Sequence, residues 1–154
     1  MEDGMQHIDT GLLHLLNGTW NTAGTVFNST DLISGTDSYE LVAGGCFLLH
    51  RVDVAIGNKK MEAIEIIGSE SNNGVFSVYA FDCNHRIETM KITLEKENVF
   101  KISGDLVRAK LIIESDGMQM EATWEKSLDG YKWIPWMDVK FTKQQDQHLI
   151  ANRW

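Results

Sequence analysis

His50 is the side chain with the clearest chemical potential, because it is a titratable ring on an otherwise apolar strand face. In residues 46–56 the even positions that flank it are apolar: Cys46, Leu48, Val52, Val54 and Ile56. In a pocket, an imidazole with a shifted pKa serves as a polar anchor or as a general base. The competing interpretation is a core histidine whose ring is hydrogen-bonded to a backbone carbonyl.

Other groups of reactive side chains give weaker signals. Cys83 and His85 stand close together in a turn-like segment, but neighbouring turn residues seldom reach the geometry of a nucleophile and its base. We therefore predict a hairpin turn through Asn84. His7 and His14 are too far apart for a helical two-histidine clamp, which needs residues at i and i+4. The sequence thus predicts neither catalytic residues nor a metal site.

A pair of glutamates on the next predicted strand leaves two alternatives open. Glu62 and Glu65 point to opposite faces, because side chains alternate along a strand. Glu65 shares its face with the apolar residues Met61, Ala63 and Ile67. Its carboxylate therefore lies either inside a pocket or outside, next to the helix or a neighbouring lysine.

The elements that must position these residues are separated by turn signals at short intervals. Segments rich in β-branched and aromatic residues lie between the signals, which is typical of strands. This pattern predicts an up-and-down antiparallel β-barrel of about ten strands. The signals are Gly44-Gly45, Gly57-Asn58, Asn73-Gly74, Asn84, Glu97-Asn98, Gly104-Asp105, Asp116-Gly117 and Asp129-Gly130.

Apolar periodicity predicts one short helix before the strands. Residues 6–16 place most of their apolar side chains on one face and end at Asn17-Gly18, so this helix is expected to cap one end of the barrel. Residues 29–35 are expected to form a mobile loop, a lid over one mouth. Strands are predicted at residues 19–28, 37–43, 46–56, 60–68, 75–83, 86–94, 99–103, 108–114, 118–126 and 132–142.

The inward faces of these strands are rich in methionine and aromatic residues, and the chain has 7 Met and 5 Trp. Such side chains suit a cavity for apolar molecules, and they also suit a filled core. We favour the cavity, because a barrel of ten strands is wider than the eight-stranded size that side chains just fill. Pro135 is expected to break the last strand and change its phase. The predicted ligand-binding residues are Trp20 closing one end, the polar tips His50 and Tyr79, and the apolar walls Met90, Met120, Trp124 and Trp133.

Several short motifs resemble those of lipocalins and the wider calycin superfamily. Asn17-Gly18-Thr19-Trp20 resembles their opening Gly-x-Trp signature, in which the Trp closes one end of the barrel. The resemblance implies a calycin barrel with a small-molecule pocket, and it implies no reaction. Nearly the whole chain is more similar to uncharacterised bacterial lipocalin-like domains, through Gly44-Gly45-Cys46-Phe47-Leu48, Ile67-Gly68, Tyr79-x-Phe81-Asp82 and Trp124-x-x-Ser127-x-Asp129-Gly130-x-x-Trp133.

The chain also departs from better-known relatives of that superfamily. Secreted lipocalins have a signal peptide and usually a disulfide, and neither is recognised here, so an extracellular carrier is not predicted. The haem-binding nitrobindins have a proximal histidine near the C-terminus. Here the only late histidine is His148, which follows a polar run at 143–147 and is expected outside the barrel. We therefore predict no cofactor.

Composition limits the class of protein and its partners. The 154 residues are expected to form a single domain over residues 1–154. The net charge is -8, and no run of Lys or Arg is long enough to bind phosphates, so neither nucleic acid nor a membrane is an expected partner. Cys46 and Cys83 are interpreted as small buried hydrophobes in a reducing compartment, and no targeting segment is recognised. We predict a cytoplasmic protein.

The function predicted is non-catalytic binding of a small, largely apolar molecule in the barrel cavity. One alternative is a cofactor-independent isomerase or hydrolase that uses His50 as general base in the same cavity. The other is a filled barrel that acts as a homodimeric interaction module, through an exposed patch that includes Trp136 and Trp154.

Overall fold

Ten antiparallel strands form a closed barrel in the computed structural model, which describes residues 11–70 and 74–145. Each strand pairs with its neighbours in sequence, and the first strand pairs with the last. This confirms the predicted all-β up-and-down barrel. The strands are β1 (Gly18–Val26), β2 (Leu32–Val42), β3 (Phe47–Ile56), β4 (Lys59–Ser69), β5 (Val75–Asp82), β6 (Ile87–Lys96), β7 (Val99–Ser103), β8 (Val107–Ile113), β9 (Gln119–Lys126) and β10 (Ile134–Lys143).

A short helix closes one end of the barrel, as predicted. Residues 11–16 are helical, and the predicted residues 6–10 lie outside the described ranges. Leu12, Leu13 and Leu16 are buried against the barrel core. The fully buried Trp20 donates its indole N–H to the carbonyl oxygen of Leu16 at 2.8 Å, which ties the helix to β1. We call this the helix end and the opposite one the open end.

No helix within the described ranges combines the length and the apolar character that crossing a membrane requires.

The prediction of a mobile loop at residues 29–35 is wrong. β2 begins at Leu32, and its residues pair with β1 on one side and with β3 on the other. Only residues 27–31 connect β1 to β2. The polar composition of this segment suggested a loop, but a closed barrel supplies a hydrogen-bonding partner on each side, and that tertiary pairing outweighs local propensity.

The two cysteines are exposed, which corrects the prediction that they are buried. Cys46 follows a 3-10 turn at Ala43–Gly45 and precedes β3, so it has no place on the inward face. Cys83 lies in the turn after β5. The hairpin turn predicted around Asn84 is confirmed, and the carboxylate of Asp82 accepts the backbone N–H groups of Asn84 and Arg86.

The predicted alternation of side chains holds in the middle of the strands and fails at their ends. Met90 and Ile92 are buried, whereas Leu94 is exposed beside a shift of register between β6 and β7. Met120 is buried, and Met118, just before β9, is exposed. Strand ends extend past the core, so alternation there no longer predicts burial.

Candidate functional site

An apolar cavity of about 240 Å³ lies inside the barrel. Leu16 of the helix forms part of its wall at one end, and Glu88, an exposed residue near the start of β6, lines it at the open end. The cavity therefore has a closed floor and an accessible mouth. Residues from all ten strands line it, and most of them are aliphatic or aromatic, among them Ile33, Val54, Ile67, Val78, Ile102, Leu111, Ala122 and Phe141.

Three of the seven predicted ligand-binding residues line this cavity: His50, Met90 and Trp124. Trp20 and Met120 are buried in the core cluster beside the helix and do not reach the cavity wall. Trp20 packs with the helix residues at the helix end, without contact to the cavity.

The remaining two predicted residues lie outside the cavity, which corrects their predicted positions. Tyr79 is 51% exposed, because β5 turns Phe76, Val78 and Ala80 inward. Trp133 precedes β10 and stacks under the guanidinium of Arg108, which lies 4.3 Å from the ring centroid.

Trp136 takes the inward position that was predicted for Trp133. The register between β9 and β10 shifts between Pro135 and Met137, as expected from a proline that cannot donate to the ladder. The shift turns Trp136 toward the cavity, where its ring meets that of Trp124 edge to face with centroids 6.2 Å apart. Trp136 was predicted on an exposed patch, and its partner there, Trp154, lies outside the described residues.

A cluster of polar side chains interrupts the apolar wall on β1 to β4. Tyr39, His50 and Glu65 are directly opposite one another in the ladder β2, β3 and β4. Asp37 lies two residues before Tyr39 on the same inward face of β2. Thr22 on β1 lies diagonally across from Asp37. Strand register therefore brings these five side chains together, and we call them the polar cluster.

His50 is held at both ring nitrogens. Nδ1 lies 2.8 Å from Oε1 of Glu65, and Nε2 lies 2.6 Å from Oδ1 of Asp37. The hydroxyl of Thr22 donates to the other oxygen of Asp37. The ring of Tyr39 stacks on the imidazole with centroids 4.0 Å apart and planes inclined by 10°. The ring cannot turn without breaking two hydrogen bonds.

The pKa of His50 is raised from its ordinary 6.5 to about 9. Burial alone would lower this pKa, but the charge of Glu65 and the hydrogen bonds to Asp37 and Glu65 outweigh burial. His50 is thus an imidazolium at neutral pH and donates both N–H groups. Burial raises the pKa of Tyr39 well above its ordinary value, and the nearby charges of Asp37 and Glu65 raise it further. Tyr39 therefore keeps its phenolic proton.

The cluster leaves two polar atoms unused. Glu65 binds His50 through Oε1, and its Oε2 has no hydrogen-bond partner among the described residues. The same holds for the hydroxyl of Tyr39 in the described part of the chain. Both side chains line the cavity, and the Glu65 side chain is 19% exposed against 7% for Asp37. These two groups can hydrogen-bond a molecule inside the barrel.

Sequence reasoning missed Asp37, Tyr39 and Thr22 as site residues. The odd positions of β2 carry an inward set that also contains Ile33 and Leu41, but the segment before Asp37 was assigned to a loop. Extending the alternation back to Ile33 would have placed Asp37 inside. For Glu65, the structure selects the inward alternative.

Metal binding does not fit this cluster. Among the described residues, no group of three or more His, Cys, Asp and Glu side chains is placed to hold a metal ion. Both nitrogens of His50 are already directed at carboxylates, so the ring has no lone pair to offer.

Comparison with one crystal structure supports the fold at low sequence identity. The crystal structure of Rv2717c from M. tuberculosis superposes with a TM-score of 0.66 at 12% identity, over 89% of this chain and 98% of that one. A de novo designed fluorescence-activating β-barrel gives a TM-score of 0.49 at 12% identity, over 86% of this chain and 96% of that one. No protein-family model and no curated protein matches the sequence. Membership of the lipocalin-like group therefore stays a prediction.

Proposed function

We propose that this protein binds a small, largely apolar molecule in its barrel cavity. The observation that carries the proposal is the cavity itself, which has about 240 Å³ of space, apolar walls and a mouth at one end. A core that only needed filling would be close-packed, with few voids larger than a water molecule. Concave apolar space with a few convergent polar groups is typical of ligand sites.

The open end offers an apolar molecule a route into this space. Exposed apolar side chains lie in or beside the connections at this end: Phe27, Leu32, Ile87, Leu106, Leu128 and Tyr131. Concentrations of exposed apolar surface are uncommon on monomeric soluble proteins and often mark binding sites.

The enzymatic alternative receives no support from the geometry of His50. A general base must accept a proton, but this imidazole is already protonated at neutral pH and donates to two carboxylates. His50 instead holds Asp37 and Glu65 at fixed positions in the cavity wall.

Native mass spectrometry of the gently purified protein tests the proposal, together with titration of benzyl alcohol as a neutral aromatic probe followed by NMR. We expect a mass excess that vanishes on denaturation, or saturable shifts of resonances from the cavity wall. The variant Ala122→Phe, which fills the cavity from β9, should weaken probe binding by about tenfold or more.

Thr123→Phe is the matched control, because it introduces the same ring at the next position, which is exposed on the outer face of β9. It should leave binding unchanged. The proposal fails if the native protein carries no ligand and its cavity resonances do not respond to the probe, or if both variants bind equally well.

A further inference from the structure

We propose that the cavity selects an apolar molecule that carries a cationic amine, with the ammonium group held by Glu65 and Tyr39. This inference rests on the proposed function and names its ligand class. Three features of the cavity wall support it: the balance of charge, the unused polar atoms and the space available.

The charged groups along the cavity are strongly biased toward acids. Asp37 and Glu65 lie in the polar cluster, and Asp82 and Glu88 lie at the mouth, against the single imidazole of His50. No Lys or Arg from the described ranges lines the cavity. Carboxylates at the mouth attract cations from solution and repel anions, and apolar walls of low dielectric strengthen that field.

The unused atoms of the polar cluster match the donors of an ammonium group. Both oxygens of Asp37 are occupied, by Thr22 and by His50. Oε2 of Glu65 and the hydroxyl oxygen of Tyr39 remain as acceptors toward the cavity. An ammonium group has three donors and no acceptor, so it satisfies both oxygens and balances the excess negative charge of the cluster.

An anionic headgroup does not fit the same position. A carboxylate or phosphate next to Glu65 would add a second uncompensated negative charge in a partly desolvated site. His50 cannot offset it, because both of its N–H groups already point at Asp37 and Glu65. The site therefore discriminates against fatty acids and similar anions by repulsion as well as by missing contacts.

The space limits the size of this amine. A cavity of about 150 Å³ in another protein holds benzene, so this cavity of about 240 Å³ accommodates on the order of ten non-hydrogen atoms. Benzylamine, benzyl alcohol and benzoate share one ring and one position of substitution, and each falls within that limit. They differ in charge and make a matched set of probes.

Isothermal titration calorimetry of the three probes at pH 7 tests the inference on the unmodified protein. Benzylamine should bind about tenfold or more tightly than benzyl alcohol, in line with a hydrogen bond to a charged group, and benzoate should bind most weakly. If benzyl alcohol binds as tightly as benzylamine, the charge selection is wrong and the proposed cavity function stands. If none of the three binds, the amine selection is wrong, and the cavity function fails with it only when the native protein also carries no ligand.

Two glutamates on β4 provide the variant and its control. Glu65→Gln keeps the shape of the side chain and removes its charge, so it should abolish the preference for benzylamine over benzyl alcohol. Glu62→Gln makes the same change at an outward carboxylate that is 62% exposed, and it should keep the preference. An equal preference for benzylamine in the two variants would overturn the assignment of Glu65. If Glu65→Gln fails to fold, the comparison of the three probes on the unmodified protein still tests the charge selection.

Discussion

At the scale of single residues, the polar cluster decides what the cavity can do. A buried imidazole is costly as an isolated charge, and it is retained here because two carboxylates accept its protons. The same contacts that stabilise the charge occupy both nitrogens. His50 therefore positions Asp37 and Glu65, and Glu65 keeps an oxygen for a ligand.

The raised pKa of His50 predicts that stability falls as pH rises. The folded state keeps a proton up to about pH 9, whereas the unfolded chain releases it near 6.5. The contribution of this proton to folding is complete below pH 6.5 and is lost on the way to pH 9, with a total on the order of 3 kcal/mol. Urea unfolding at several pH values between 6 and 9.5 measures this decline.

Substitutions of His50 on β3 and of His14 in the helix distinguish the contribution of the His50 proton from that of other titrating groups. His50→Gln should remove the decline between pH 6.5 and 9, while His14→Gln, at an exposed helix position, should retain it. A native protein whose stability stays constant over this range would mean that His50 is neutral in the fold.

Among the strands, close contact between neighbouring backbones determines the position of β2 as much as apolar alternation does. Gly35 lies on the inward face of β2, opposite Thr22 on β1 and Val54 on β3. Its φ is +150°, and a Cβ atom there would lie 2.2 Å from the carbonyl oxygen of Asp53. Only glycine permits this approach, which sets the position of β2 and so of Asp37 and Tyr39.

Gly35→Ala should therefore destabilise the barrel by about 3 kcal/mol or more, because backbone strain and a clash with β3 add up. Gly44→Ala is the matched control. Gly44 also has a positive φ, of +70°, but no atom lies within 4 Å of its Cβ position, so only about 1–2 kcal/mol of backbone strain is expected. Equal losses in the two variants, measured by urea unfolding, would contradict the proposed role of the close contact.

At the scale of the whole molecule, closure removes every free sheet edge among the described strands. β1 pairs with β10, which joins segments more than a hundred residues apart in sequence. Closure also leaves two barrel ends, and within residues 11–70 and 74–145 only the helix end is sealed, by Leu12, Leu13, Leu16 and Trp20. The cavity is accessible at the other end because no helix covers it in the described part of the chain.

Trp20→Phe tests the seal at the helix end. The smaller ring leaves space in a fully buried site and leaves the carbonyl of Leu16 without its donor, so we expect a loss of about 3 kcal/mol in the free energy of unfolding. Trp133→Phe makes the same change outside the cavity, at a partly buried ring that contacts Arg108, and should cost about 1 kcal/mol or less. Similar losses for the two variants in thermal and urea unfolding would mean that Trp20 does not anchor the helix.

The fold class, the helix that caps one end and most inward faces can be predicted from the amino-acid sequence alone. Turn residues and apolar alternation are local signals, so they can be recognised without knowing which strands pair. Met90, Met120 and Trp124 follow from that alternation, as does the inward position of His50. The break in register of the last strand is also predictable from the sequence, because it lies beside Pro135.

The set of polar groups that meet in the cavity wall depends on how the strands pair. Asp37 and Glu65 reach His50 because of the register between β2, β3 and β4, and register is a relation between strands that no single segment encodes. The same reason explains the errors at residues 29–35 and at Tyr79, whereas the error at Trp133 follows from the break in register beside Pro135. Composition and strand propensity describe each segment alone, whereas closure of the barrel fixes where each strand begins and which face turns inward.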